Sequence, residues 1–158
     1  MAALTAAKPI TQLGEDTAPM LRDVPVKDGV VIYHGAMVGV AGDGYWAPAS
    51  TTVAALGVAD LEAWDDQARS GQASVQNETT GNKIDNSAGA DDARQFVVRQ
   101  GIFKMANKGG DLVTRAMVGA TVYVEDDQTV RLTATGSVAA GKLWGFADDG
   151  LPLVRVQV

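Results

Sequence analysis

The sequence contains no cysteine and only one histidine, His34, among its 158 residues. The absence of cysteine excludes disulfides, thiolate nucleophiles and cysteine zinc sites. Aromatic residues make up only 6% of the chain. No apolar run approaches the roughly 20 residues that a membrane helix needs, and residues 1–7 lack the basic start and long apolar stretch of a signal peptide. We therefore expect no membrane partner and no conventional export.

Positive charge is also scarce. Lys and Arg number 13 against 19 Asp and Glu, which gives a formal net charge of −6. The basic residues form no stripe along the sequence that could neutralise a row of phosphates. The charge pattern therefore predicts that nucleic acid is not a partner.

Small and β-branched residues dominate the apolar set. The chain has 25 Ala and 20 Val against 10 Leu and 4 Ile, together with 18 Gly and 15 Asp. Small and β-branched side chains suit tightly packed sheets, whereas Gly and Asp favour turns. The length corresponds to one compact domain. The composition thus predicts a single domain of short strands that turns often.

Residues 1–23 show no period of either 2 or 3.6, and Pro9 and Pro19 discourage regular structure. We interpret this segment as an extended N-terminal arm that adds little to its own core and becomes ordered on a neighbouring molecule. Its candidate interface residues are Leu4, Pro9, Ile10, Leu13, Met20 and Leu21.

From Val24 to the end, the pattern is that of a β protein. Asp28-Gly29 and residues 41–44 are hairpin signals between β-branched runs. Alternating valines on both sides of residues 126–128 predict another hairpin with one solvated face. Further strands are predicted at 51–59, 95–105, 142–146 and 153–158. The expected fold is mainly β, a small antiparallel barrel or sandwich that forms one domain over residues 24–158.

Residues 65–93 interrupt this pattern. Only Val75 and Ile84 are large aliphatic residues within a stretch of Gly, Ser, Asn, Asp and Thr. Loops of this length are uncommon in compact domains unless they bind something or move. We predict a long polar loop or insertion with one of those two roles.

The residues that could carry catalysis lack partners. His34 has no second histidine, cysteine or recognisable nucleophile motif beside it, which favours an imidazole at a strand end that is partly exposed or bonded to a backbone carbonyl. Residues 136–142 match the start of a phosphate-binding loop, but Leu143 replaces the hydroxyl residue that would hold magnesium. The sequence therefore predicts no catalytic residue, no metal and no cofactor.

Two features leave alternatives open. Four Asp pairs are typical of solvated turns, although a glycosidase pair could form in space: Asp65-Asp66, Asp91-Asp92, Asp126-Asp127 and Asp148-Asp149. Trp46 and Trp144 lie in strand contexts and are interpreted as core or subunit-interface anchors, between which the sequence does not decide.

The ordered series of segments resembles a known family. The runs PV, IYHGAMV, GYWAPA and LGVA are similar to the first half of tailed-phage capsid cement (decoration) proteins, at residues 25–26, 32–38, 44–49 and 56–59. The second half of that family is similar to VVRQGIF, VG, VYVEDDQTV and AGK, at residues 97–103, 118–119, 122–130 and 140–142, followed by the closing valine strand.

The resemblance implies a non-enzymatic virion protein, made in the host cytoplasm, that binds the outer surface of an assembled icosahedral head. It further implies a homotrimer that stabilises contacts between major capsid protein subunits. The family has no catalytic motif to transfer. The alternative is a β-barrel module that binds a ligand or acts on carbohydrate through an acidic pair and Trp46 or Trp144.

Overall fold

A computed structural model describes residues 3–4, 12–13, 20–61 and 83–157 of the chain. In these residues the protein is mainly β, with one 3-10 helix at Arg115–Met117 and no α-helix. The strands are β1 Gln12–Leu13, β2 Met20–Pro25, β3 Val31–Tyr33, β4 Met37–Val40, β5 Trp46–Pro48, β6 Gly57–Ala59, β7 Lys83–Asp85, β8 Gln95–Arg99, β9 Gly101–Lys104, β10 Ala106–Asn107, β11 Thr121–Asp126, β12 Thr129–Arg131, β13 Ala139–Phe146 and β14 Pro152–Val156.

The strands form three sheets. The largest has seven strands in the order β1-β9-β14-β13-β11-β12-β10, the second has five in the order β2-β8-β6-β4-β5, and the third pairs β3 with β7. Among the strands named above, all pairs are antiparallel except β10 with β12. The predicted mainly β class is confirmed. Within the described residues no sheet closes into a barrel, so the barrel form of the prediction is wrong, whereas a sandwich-like arrangement is compatible with the sheets.

The five-stranded sheet contributes to two separate cores. Met37 and Val58 belong to one apolar cluster, whereas the next residues along β4 and β6, Val38 and Ala59, belong to the other. Because successive side chains of a strand point to opposite faces, this sheet is covered on both sides near β4 and β6. Small side chains are needed there because both faces must pack closely.

The first core joins the seven-stranded sheet to the five-stranded sheet. Its largest members outside β4 and β6 are Phe103, Met105, Leu143, Val122, Val154 and Val156. The second core joins the five-stranded sheet to the two-stranded sheet. Its large members are Ile32, Trp46, Leu61, Ile84 and Phe96. The protein is therefore arranged in three β layers with two cores.

The segment 95–105, predicted as one strand, forms two strands in different sheets. β8 lies in the five-stranded sheet and β9 in the seven-stranded sheet. Gly101 starts β9 with a φ of 150°, a value that favours glycine. The preceding Gln100 is buried and donates from Nε2 to the Leu56 carbonyl at 3.1 Å. This corner lets one stretch of chain connect two layers.

Two of the three predicted hairpins are confirmed, at residues 41–44 between β4 and β5 and at residues 126–128 between β11 and β12. The prediction of a hairpin at Asp28-Gly29 is wrong. A turn forms there, but β2 pairs with β8 and β3 pairs with β7. Turn residues bend the chain locally and do not by themselves select the partner strand. The strand predicted over 51–59 is confined to β6.

The described residues of the predicted arm belong to the domain. Leu4 is only 7% exposed, β1 pairs with β9, and β2 begins at Met20 within the five-stranded sheet. β2 therefore crosses the predicted boundary at residue 23. Residues 20–23 are half-buried or exposed and Leu4 belongs to neither core, so the small core contribution of the arm stays a prediction. The strand was missed because β2 carries a bulge at Arg22 and Asp23, where Asp23 has a φ of 56°, and a bulge interrupts the period-2 pattern.

The predicted loop at 65–93 is described only from residue 83 onward, and residues 62–82 lie outside the described part of the chain. Lys83–Asp85 form β7, and Ile84 is fully buried in the second core. Asn86 then fixes the following turn by donating from Nδ2 to the carbonyls of Lys27 and Ala90, at 2.8 and 2.9 Å. The end of the predicted loop is thus a structural element.

Candidate functional site

The acidic pair Asp126-Asp127 connects distant parts of the fold. Asp127 is buried, and its Oδ1 accepts a hydrogen bond of 2.6 Å from the Leu4 backbone N–H. Its carbonyl accepts another of 2.6 Å from the N–H of Met37, at the start of β4. A carboxylate held in this way orders the backbone around it. This geometry supports a structural role for Asp127.

The other described acidic pairs also bond to neighbouring structure. Asp91 accepts from the Asp28 N–H at 2.9 Å, and Asp92 accepts from the Gln95 side chain at 3.1 Å. Asp149 lies 2.8 Å from the Lys104 ammonium, which holds the pKa of this carboxyl below its ordinary value. Asp65-Asp66 lies outside the described residues. The geometry therefore favours the turn interpretation for the described pairs.

His34 lies at the end of β3 in a buried polar cluster, with 3% of its surface exposed. Its Nδ1 accepts a hydrogen bond of 3.1 Å from the Leu61 backbone N–H. Asp60 approaches the same nitrogen to 3.9 Å and also pairs with Arg99 of β8. An imidazole that accepts at Nδ1 carries its proton on Nε2 when neutral. The strand-end position is confirmed, but the ring is buried rather than partly exposed, and it ties β3 to the chain after β6.

Glu125, near the end of β11 in the seven-stranded sheet, forms ion pairs with two cations. Its Oε2 lies 2.8 Å from Lys108 Nζ and 3.2 Å from Arg131 Nη1. Lys108 has the largest effect and Arg131 a smaller one, and together they hold the pKa of Glu125 below its ordinary value. A carboxyl with a lowered pKa in the folded state stabilises the fold above its unfolded pKa, and this contribution is lost as pH falls through the folded pKa.

Replacing Glu125 with glutamine is expected to lower the free energy of unfolding by about 1 kcal/mol at neutral pH, since both cations lose their anion. The difference from the unchanged protein should shrink as pH falls below about 4.3, the ordinary glutamate pKa. Urea unfolding from pH 7 to pH 3 measures both. The exposed Asp148→Asn serves as the matched control, and a pH-independent difference would contradict the role of Glu125.

The candidate interface residues that the structure describes lie in different parts of the fold. Leu4 is buried, Pro9 and Ile10 lie outside the described residues, and the backbone of Leu13 pairs with Ile102. Met20 and Leu21 begin β2, where Leu21 is 37% exposed. Trp46 is 9% exposed and packs edge-on against Phe96, whereas Trp144 is 57% exposed. Of the two tryptophans, one is therefore a core residue and the other a surface residue.

Trp144 is exposed next to buried Leu143, at an irregularity in the pairing of β13 with β14. Leu143 pairs with Val154 and Gly145 pairs with Leu153, so Trp144 is an extra residue without a partner in β14. The exposure of the side chains still alternates here: Lys142 is exposed, Leu143 is buried and Trp144 is exposed. Leu143 remains buried in the first core, so the indole next to it projects outward. A large apolar group therefore lies on the outer face of the seven-stranded sheet.

Two cations that the sequence analysis did not place together lie beside this tryptophan. Lys142 and Arg155 are direct partners across β13 and β14, and both are exposed. Their outward orientation follows from their position next to buried Leu143, Val154 and Val156. Alternation in the sequence could have placed each of them on an outer face. Only the strand register shows that they are opposite each other.

Within the described residues, neither Lys142 nor Arg155 has an ion-pair partner. The row of neighbours across β9, β14, β13 and β11 reads Ile102, Arg155, Lys142, Thr121 and contains no carboxylate. We name Lys142, Trp144 and Arg155 the tryptophan–cation surface. Since Lys142 lies within β13 and no helix follows it, the segment 136–142 lacks the helix N-terminus of a phosphate-binding loop.

Comparison with known proteins identified no relative of this chain: no protein-family model, curated protein or solved structure matches it. Among the described residues, no group of three or more His, Asp and Glu side chains is placed to hold a metal ion. The same part of the chain contains no helix long and apolar enough to cross a membrane.

Proposed function

We propose that this chain is a capsid decoration protein, which binds the outer surface of the assembled head of a tailed phage and stabilises contacts between major capsid protein subunits. In this proposal the protein is non-enzymatic, is made in the host cytoplasm and functions as a homotrimer on the virion. Its fold is a three-layered, sandwich-like β domain. The resemblance of its ordered strand segments to the cement family is the basis for the partner and the trimer.

The observation that carries the proposal is the exposure of Trp144. A tryptophan that is 57% exposed on a sheet face costs solvation free energy in the isolated protein. Tryptophan is also the residue type most enriched among the energetic anchors of protein interfaces. In contrast, His34 and Asp127 are buried and bonded to the backbone. This distribution supports contact with a macromolecule rather than catalysis.

The alternative function, a ligand-binding or carbohydrate-active module, depends on an exposed tryptophan beside an acidic pair. Trp46 does not suit it, because the ring is covered by the second core. Trp144 could stack on a sugar, but the nearest acidic pair in sequence contains Asp149, which is bonded to Lys104. We therefore favour the decoration function.

The test is to purify virions of the phage whose genome encodes this chain and to image their heads by electron cryomicroscopy. We expect density for the chain on the outer capsid surface. We also expect heads that lack the chain to release DNA at a lower temperature, and added protein to restore the higher temperature. Heads that neither contain nor bind the chain would contradict the proposal. Glycan binding that is lost in Trp144→Ala would instead favour the alternative.

A further inference from the structure

We infer that the tryptophan–cation surface, Lys142, Trp144 and Arg155, is the face through which this protein binds its partner, and that it recognises a protein surface bearing carboxylates around an apolar recess. The inference rests on the proposed function only for the identity of that partner as a capsid protein. The chemistry of recognition is argued from the register of β13 and β14 and from the exposure of the three side chains.

The first argument is the placement of the two cations. Residues directly opposite in an antiparallel pair have Cβ atoms about 5 Å apart, and like charges in this arrangement destabilise a sheet. Lys142 and Arg155 occupy such a pair, although the chain as a whole has a net charge of −6. In contrast, Lys104 on the same sheet lies 2.8 Å from Asp149, and Lys108 lies 2.8 Å from Glu125. Lys142 and Arg155, which have no ion-pair partner in the part of the chain that the structure describes, thus differ from these two lysines, and carboxylates of a partner would compensate them.

The second argument is the position of Trp144. It lies two residues after Lys142 on β13, so the indole and the two cations occupy one small area of the sheet face. Arg and Trp are enriched in the buried centres of protein interfaces, where a large ring fills a pocket and a guanidinium pairs with carboxylates. A recess lined with apolar side chains and bordered by Asp or Glu would therefore complement this surface.

The observations favour a protein over a nucleic acid as the partner. Nucleic-acid binding depends on several cations that track a phosphate backbone. Here, two exposed cations lie between Ile102 and Thr121 in the cross-strand row, and the overall charge is negative. The surface suits a few carboxylates better than a line of phosphates.

The first test uses defined probes and does not depend on the capsid. Three ligands are titrated against the full chain at low salt and followed by nuclear magnetic resonance: a peptide of glutamates around one phenylalanine, the same peptide with lysines in place of glutamates, and a single-stranded oligonucleotide. We expect the acidic peptide alone to shift the Trp144 indole signal and the amides of Lys142 and Arg155. No shift at these residues, an equal effect of the lysine peptide, or tighter binding of the oligonucleotide would overturn the inference.

The second test uses three substitutions on undecorated heads. Lys142→Glu creates an opposite-charge pair with Arg155, so we expect it to keep or raise the melting temperature while weakening binding at least about 10-fold. Trp144→Ala should weaken binding about 30-fold. Lys104→Gln, a change on the same sheet at a lysine already paired with Asp149, should change binding less than about 3-fold.

These outcomes separate the two proposals. If the unchanged protein binds heads and the Lys142→Glu and Trp144→Ala variants bind equally well, the surface assignment is overturned while the decoration function stands. If the unchanged protein does not bind heads, the decoration function fails, and the peptide titration alone decides the surface assignment.

Discussion

Replacing Trp46 with alanine is expected to lower the free energy of unfolding by about 3 to 5 kcal/mol, the range for removing a large aromatic side chain from a core. Trp46 is a member of the second core, and its ring meets the Phe96 ring edge-on at 6.4 Å between centroids and 80° between planes. The substitution removes this ring contact and leaves a cavity between the five-stranded and two-stranded sheets. Equilibrium unfolding in urea measures the effect.

Trp144→Ala is the matched control, because it removes the same side chain from the surface. Since Trp144 makes no contribution to either core, we expect this substitution to change the free energy of unfolding of the protein by less than about 0.5 kcal/mol. Equal losses of stability in the two variants would contradict the separation of one tryptophan into the core and the other onto the surface. The same pair of variants separates stability from partner binding, because only Trp144→Ala should affect binding without unfolding the protein.

The difference between these tryptophans could not be predicted from the sequence. Trp46 lies in a strand of three residues and Trp144 in one of eight, and alternation alone gives each of them an inward or an outward position. Trp144 points outward because it follows buried Leu143 in β13, whose successive side chains point to opposite faces. Which face of a strand is covered depends on the sheet that packs against it, and no local sequence pattern sets that packing.

The parts of the fold that were predicted correctly are local in sequence. The turns at 41–44 and 126–128 join adjacent strands, so turn residues and flanking valines were sufficient to predict them. Asp28-Gly29 carries the same signal, yet β3 pairs with β7, more than fifty residues further along the chain. Non-local pairing depends on which apolar faces meet, and this cannot be read from a turn.

The candidate site shows the same limit. Lys142 and Arg155 are separated by twelve intervening residues, and their sequence neighbours give no reason to consider them together. Each alternates with buried residues, which predicts an outward side chain for each. Their direct opposition, which carries the inference about an acidic partner, exists only once β13 and β14 are in register.

The coverage of the five-stranded sheet on both faces is also visible in the sequence of β4. β4 reads Met37-Val38-Gly39-Val40, with its first three residues buried, where a strand covered on one side would alternate. Near-continuous apolar strands are typical of sheets covered on both faces. Gly39 is the narrowest point of this packing, because the segment before β6 crosses directly over it.

Gly39→Ala is therefore expected to lower the free energy of unfolding by about 3 kcal/mol or more, although it adds only one methyl group. A Cβ at this position would lie 1.8 Å from the carbonyl oxygen of Ala54. That segment cannot easily move away, because the Leu56 N–H donates to the Val38 carbonyl at 2.8 Å and the Ala55 N–H donates to the Ala139 carbonyl at 3.1 Å. Thermal and urea unfolding of the purified variant measure the loss.

Gly42→Ala, three residues along the same hairpin, is the control for this prediction. A Cβ on Gly42 would meet no atom within 4 Å, so this substitution should change the free energy of unfolding of the protein by less than about 0.5 kcal/mol. A Gly39→Ala variant as stable as Gly42→Ala would mean that the segment before β6 does not lie against β4. The hydrogen bond from the Ala55 N–H, just before β6, to the Ala139 carbonyl of β13 would then be wrong as well, and with it the close contact between the two larger sheets. A large loss confined to Gly39→Ala would instead locate the close approach of these layers at a single backbone position.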